Sequence, residues 1–199
     1  MLYKQLQFTT GWFGRLMFKF DSKIDIRFDD VIGYDAQKIK LRQAISKILN
    51  NQESKPKGII IKGPEGTGKT FMAKVFIGEA QMPYMIISRG EVRSATDIKK
   101  IFSVARLKKS CIIFFDEFDA IDKNDNGEKN CAQFNFEMSK KDNIFVVATT
   151  RKENIERSVK RLGRFDIKIE MYFPDAKERK EIIEYWCQKM KYLLVKIVL

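Results

Sequence analysis

The sequence predicts an α/β fold, a parallel β-sheet with helices on both faces. Three observations carry that expectation. Short apolar runs alternate with segments of helical periodicity from residue 35 onward. Most of the runs are continuously apolar, as in strands covered on both faces. A glycine-rich stretch, Gly63-Pro-Glu-Gly-Thr-Gly-Lys-Thr70, joins the first run to the helical segment behind it. At 199 residues the chain accommodates one such domain, which buries roughly two-thirds of its unfolded surface.

Residues 1–27 are aromatic, mildly basic and irregular, and are expected to form an extension or linker. Within them Gly11-Trp-Phe-Gly-Arg-Leu-Met-Phe-Lys-Phe20 could rest on a membrane surface or a partner, or pack on the domain as a strand. The core domain is expected over 28–190. Its first helix is Asp35–Leu49, with Ile39, Leu41, Ala44, Ile45, Ile48 and Leu49 at helical spacing. A polar loop with Pro56 follows. Strand Gly58–Lys62 leads to a helix over 70–79, strand Tyr84–Ile87 to a helix over 96–107, and strand Cys111–Phe115 to a helix over 128–138. A fourth strand is expected at 144–148 and a shorter, alternating fifth at 167–171. Asp175 and Glu178 have capping-box spacing and open a last helix to residue 190. Residues 191–199 read as a short apolar tail.

Composition excludes several chemistries. The chain has no His, so it can build neither a His-ligated zinc site nor a His-based catalytic triad. Cys111, Cys131 and Cys187 form no CxxC pair, and an odd count argues for a reducing compartment over a disulfide framework. No apolar run reaches the ~20 residues of a membrane helix. Arg15 and Lys19 interrupt the apolar start, unlike a signal peptide. Lys and Arg number 38 against 26 Asp and Glu, a net charge of +12. That charge suits an anionic partner or simple Lys-rich composition, and the scatter of the basic residues favours composition.

The glycine-rich stretch matches GxxxxGK[ST] in full and lies between a strand and a helix, the context that motif requires. Its glycines let the backbone turn N–H groups inward around phosphate oxygens, and the helix N-terminus adds partial positive charge. Lys69 would reach the β- and γ-phosphates, and the Thr70 hydroxyl would ligate Mg²⁺. The third strand ends in Asp116 and Glu117. An acid closing a buried apolar strand is costly without a task. Asp116 can hold Mg²⁺ through its water shell, and Glu117 can act as general base toward an attacking water. Asp119 is expected to be structural.

These residues resemble the AAA ATPase family, and within it the ATPase module of FtsH-type ATP-dependent proteases, over about 28–186. The resemblance rests on Phe28-Asp-Asp-Val-Ile-Gly33, Gly63 to Thr70, Cys111-Ile-Ile-Phe-Phe-Asp-Glu-Phe-Asp-Ala-Ile121, Val146-Val-Ala-Thr-Thr150, Gly163-Arg-Phe-Asp166 and Pro174-Asp175. It implies a P-loop NTPase three-layer sandwich with five parallel strands in the order 5-1-4-3-2. It implies ATP and Mg²⁺ as cofactors. Ile32 and Gly33 would line the adenine pocket, and Gly63, Pro64, Glu65, Gly66, Thr67, Gly68, Lys69, Thr70 and Phe71 would hold the nucleotide. Thr150 stands where the family has an asparagine that orients the attacking water. Arg161 and Arg164 match arginine fingers that reach a neighbouring subunit. They read otherwise as a surface basic cluster with Arg157 and Lys160.

The sequence also departs from that family. Between Ser88 and Thr96 there is no aromatic pore element to grip a substrate, and the loop after Ile121 is short. A truncated lid, and the absence of a protease domain and of a membrane anchor before Phe28, are expected. The resulting expectation is a Mg²⁺-dependent ATPase module that drives protein remodelling, without protease activity. The alternative is a nucleotide-binding, poorly hydrolysing regulatory or structural subunit, and a third reading is a nucleic-acid-remodelling ATPase. The expected assembly is a homo-hexamer or a mixed ring with full-length relatives. No stable nucleic-acid complex and no transmembrane span are expected. The expected location is cytoplasmic, peripheral to a membrane through partners.

Overall fold

The computed structural model describes residues 20, 24–50, 55–122, 127–151 and 165–198. Its elements are a 3₁₀ turn Phe28–Asp30, α1 Asp35–Leu49, β1 Gly58–Lys62, α2 Lys69–Ala80, β2 Tyr84–Ile87, α3 Ala95–Ala105 and β3 Cys111–Phe115. They continue with α4 Asp119–Asp122, α5 Gly127–Ser139, β4 Ile144–Thr150, β5 Ile167–Glu170 and α6 Ala176–Val198. The five strands form one parallel sheet in the order β2-β3-β4-β1-β5. This is the expected order, read from the other edge.

The apolar runs serve two faces at once, because successive strand residues point to opposite sides. Ile60, Ile113, Phe115 and Val146 face α3 and α5, where they pack with Phe102 and Phe134. Ile59, Ile61, Ile112, Phe114 and Val147 face α1 and α2, where they meet Leu41, Met72 and Phe76. Two cores on one sheet make the three layers. Rings fill the first of them: Phe134 lies 4.9 Å from Phe118 and 5.4 Å from Phe115, centroid to centroid. Burial beside Asp142 pushes the Cys111 thiol up to about 12, so it packs as an inert apolar group. Edge strand β5 alternates, with Ile169 buried and Lys168 and Glu170 exposed.

Several element ends shift by one or two residues from the sequence expectation, and three differences are informative. β4 runs on to Thr150, because Thr149 and Thr150 pair with Ile61 and Lys62 of β1. Thr150 therefore closes the strand instead of following it. α6 continues through the apolar tail to Val198, where neither Gly nor Pro interrupts it. The four-residue α4 is too short to leave a periodic signal. The Asp175 capping box is present: the Glu178 N–H donates to Asp175 Oδ1 at 2.8 Å, and the Asp175 N–H to Glu178 Oε2 at 2.9 Å. Among the described residues no helix is long and apolar enough to cross a membrane.

Parallel strands bring their C-terminal ends to one edge of the sheet. β4 lies between β1 and β3, so the chain leaving Lys62, Phe115 and Thr150 emerges side by side. Open α/β sheets bind their ligands at such an edge.

Candidate functional site

The loop from β1 to α2 forms the floor of the site. Gly63 is required there, since a Cβ would stand 2.3 Å from the Met171 carbonyl oxygen. Gly68 precedes α2 with φ 85°, a left-handed value that glycine adopts without strain. The Thr67 hydroxyl donates to the Pro64 carbonyl at 2.8 Å, and Lys69 Nζ donates to the same oxygen. Burial, and then the nearby Arg151 guanidinium, hold the Lys69 ammonium below its ordinary pKa.

The acidic wall comes from the turn after β3. The Thr70 hydroxyl donates to the Asp116 carboxylate, 3.0 Å from Oδ1 and 3.2 Å from Oδ2. The Thr149 hydroxyl donates to Asp116 Oδ1 and accepts the Glu117 N–H at 2.9 Å. Phe118 N–H bonds the Thr149 carbonyl at 2.8 Å, and Asp116 N–H bonds Ile87 at 2.9 Å. The turn is thus pinned between β2 and β4. These bonds hold Glu117 at φ 56°, a left-handed conformation unusual for a residue with a Cβ. Asp119 is buried and accepts the Thr150 hydroxyl at 3.5 Å, which suits a structural role.

Arginines close the opposite side. Arg151 places Nη1 on Glu65 and Nη2 on Glu117, and Arg89 Nη1 lies 3.4 Å from Glu117 Oε2. Together these groups line a cleft of about 530 Å³ that includes Lys69, Thr70, Asp116, Glu117, Thr149 and Thr150. An apolar recess of about 240 Å³ adjoins it, sharing Gly66, Gly68 and Phe71. Ile32, Tyr34, Met171, Ile182 and Trp186 line the recess. The Phe71 and Trp186 rings meet edge to face at 6.2 Å. The Tyr34 hydroxyl donates to the Thr67 and Tyr172 carbonyls. Gly33 sits beside this recess, next to Glu178 at the start of α6.

A cleft floored by a glycine-rich loop and a helix N-terminus, opening onto an apolar recess, suits a ligand with a phosphate tail and a flat apolar head. The Thr70 hydroxyl and Asp116 carboxylate are hard oxygen donors. Among the described residues no group of three or more His, Cys, Asp and Glu side chains gathers as a full metal cage. That donor set fits Mg²⁺, which binds through one or two protein oxygens and completes its shell with water and phosphate.

The fold therefore brings together Ile32, Gly63 to Phe71, Asp116, Glu117 and Thr150. Arg161 and Arg164 lie outside the described residues. Sequence reasoning missed Thr149, Arg151, Tyr34 and Trp186. The two-residue period of β4 could have found Thr149, because it and Thr150 must face opposite ways. A lone arginine after a strand, and aromatics from distant segments, carry no local signal.

Residues 59–173 match the family described as ATPase family associated with various cellular activities (AAA). Among curated proteins, the chain is 33% identical to the ATP-dependent zinc metalloprotease FtsH of Lancefieldella parvula, over 83% of this chain and 30% of that protein. It is 32% identical to the protein of the same name from Acholeplasma laidlawii, over the same shares. It is 33% identical to ATP-dependent zinc metalloprotease FtsH 4 of Synechocystis sp., over 83% of this chain and 31% of that protein. The chain spans about 30% of the length of these curated relatives.

Proposed function

Because this chain belongs to the AAA ATPase family, as an ATPase module similar to that of FtsH, we propose that it binds ATP with Mg²⁺ and hydrolyses it to drive protein remodelling. The carrying observation is the convergence of Thr70, Asp116 and Glu117 at the mouth of the Gly63 to Thr70 loop. Residues 28–190 form the ATPase unit. The loop N–H groups and Lys69 hold the β- and γ-phosphates. The apolar recess lined by Ile32, Phe71 and Trp186 takes the base. Thr70 and Asp116 hold Mg²⁺, which when bound offsets the charge on the phosphate oxygens.

Glu117 accepts a proton from the attacking water as its oxygen bonds to the γ-phosphorus. The bond to the β-γ bridging oxygen breaks, leaving ADP and inorganic phosphate. Arg161 and Arg164 act as fingers in a neighbour's site, in a homo-hexamer or in a mixed ring with longer relatives. A second reading, a nucleotide-binding module that hydrolyses poorly, is favoured by Thr150. It lines the cleft, yet it is buried and its hydroxyl is bonded to Asp119 instead of being turned to a water.

The test is phosphate release from Mg·ATP as a function of protein concentration, with Lys69→Ala as the blank. The expected result is turnover that vanishes in that variant. Glu117→Gln is expected to keep nucleotide binding and lose about 100-fold or more in turnover. ATP binding without turnover above the blank would select the second reading.

A further inference from the structure

We propose that Arg151 reads the γ-phosphate from within its own subunit, and that in moving to the phosphate it releases Glu117 to act on water; this inference rests on the ATPase reading above. Arg151 is the first residue past β4, beside the exit of β1. Its guanidinium straddles the cleft. One amino group meets Glu65 on the phosphate-loop wall, and the other meets Glu117 on the acidic wall. A polyphosphate tail threading the cleft must pass between those two walls.

Three further observations point to an anion at this place. First, Lys69 and Arg151 both line the same cleft. Two cations facing one cleft repel until an anion lies between them. Second, Glu65 puts a carboxylate on the loop that must approach phosphate. Arg151 offsets that charge. Third, Thr150 turns into the protein toward Asp119. Arg151, one residue on and past the end of β4, instead reaches across the cleft to Glu65 and Glu117.

The exchange has a chemical rationale. A guanidinium fork matches a phosphate as well as it matches a carboxylate, and the terminal phosphate carries more charge. With Arg151 on the carboxylates, both Glu117 oxygens are engaged, Oε1 by Arg151 and Oε2 by Arg89. With Arg151 on the phosphate, Oε1 faces the cleft. The diphosphate lacks the γ-phosphate that draws the arginine across, so Arg151 distinguishes ATP from ADP.

The experiment is calorimetric titration of the whole chain with ADP and with a non-hydrolysable ATP analogue. It compares the natural protein with Arg151→Ala and Arg151→Lys, with turnover at saturating ATP measured alongside. Arg151→Ala is expected to lose about 10-fold in triphosphate affinity. Its ADP affinity is expected to stay within about 3-fold, so the preference for triphosphate collapses. Arg151→Lys is expected to recover part of that preference, because charge survives without the fork. Its thermal melt checks that the fold survives if the alanine variant unfolds. An unchanged triphosphate-to-diphosphate ratio in both variants would overturn the role of Arg151 and leave the ATPase reading standing. If the natural, folded protein binds neither nucleotide, the ATPase reading fails and this inference fails with it.

Discussion

Thr149 is the residue on which the acidic wall depends. Its single hydroxyl accepts from the Glu117 N–H and donates to Asp116, so one side chain orients both acids. It also helps hold Glu117 in its left-handed conformation, which costs of order 1 kcal/mol when unsupported. Thr149→Val keeps the shape and removes the hydroxyl. It leaves the Glu117 N–H without its acceptor, and is expected to cost about 1–3 kcal/mol in urea unfolding. Thr149→Ser should restore most of that loss, since the hydroxyl and not the methyl makes the bonds. A valine variant as stable as the natural protein would mean that the turn is held by its backbone bonds alone.

At the scale of elements, α6 closes the apolar recess with Ile182 and Trp186. Beside the contact of Trp186 with Phe71, side-chain hydrogen bonds tie it to Asp30. Tyr185 Oη donates to Asp30 Oδ1 at 2.7 Å, and Lys189 pairs with the same oxygen. Burial alone would raise the Asp30 carboxyl, but Lys189, the Arg27 N–H and the Tyr185 hydroxyl outweigh it. They hold the group at about 2 against an ordinary 3.8. The folded value is the lower one, so the stabilisation is complete above about 3.8 and is lost as pH falls through about 2. The Asp30 side chain is 15% exposed, and its contribution near neutral pH is about 1–2 kcal/mol. Asp30→Asn is expected to be less stable by that amount at pH 6, and to approach the natural protein as pH falls toward 2. Urea unfolding followed by tryptophan fluorescence measures it. A constant difference across that range would assign the effect to packing instead of charge.

At the scale of the whole molecule, the proposed chemistry is shared between copies. One chain contributes the phosphate loop and the acids, and its neighbour contributes Arg161 and Arg164. Turnover is then expected to rise faster than linearly with concentration. Mixing Arg164→Ala with Lys69→Ala, each inactive alone, should restore part of the turnover, because one supplies the site and the other supplies the finger. Phosphate release that stays absent in the mixture, with both variants folded and assembled, would count against fingers acting between subunits.

How much was legible depended on the distance between partners along the chain. The strands, the phosphate loop and the capping box of Asp175 with Glu178 are local patterns, complete within a few residues. Their periodicity or spacing declares them. Gly78 shows where local reading ends. In mid-helix it looks like a weakness of α2, yet a Cβ there would stand 2.2 Å from the Ile26 carbonyl oxygen. The close approach of that segment makes it necessary. The Thr149 bond to Asp116, the Arg151 bridge from Glu65 to Glu117 and the Tyr185 bond to Asp30 join residues 33, 86, 34 and 155 positions apart. The sequence by itself determined the α/β class, the layers and the phosphate-loop chemistry, because burial on two faces and a tight loop are written in consecutive residues. Only the tertiary structure decided which side chains close the site, because β4 lies between β1 and β3 in space, and pairings across a sheet leave no periodic trace in the chain.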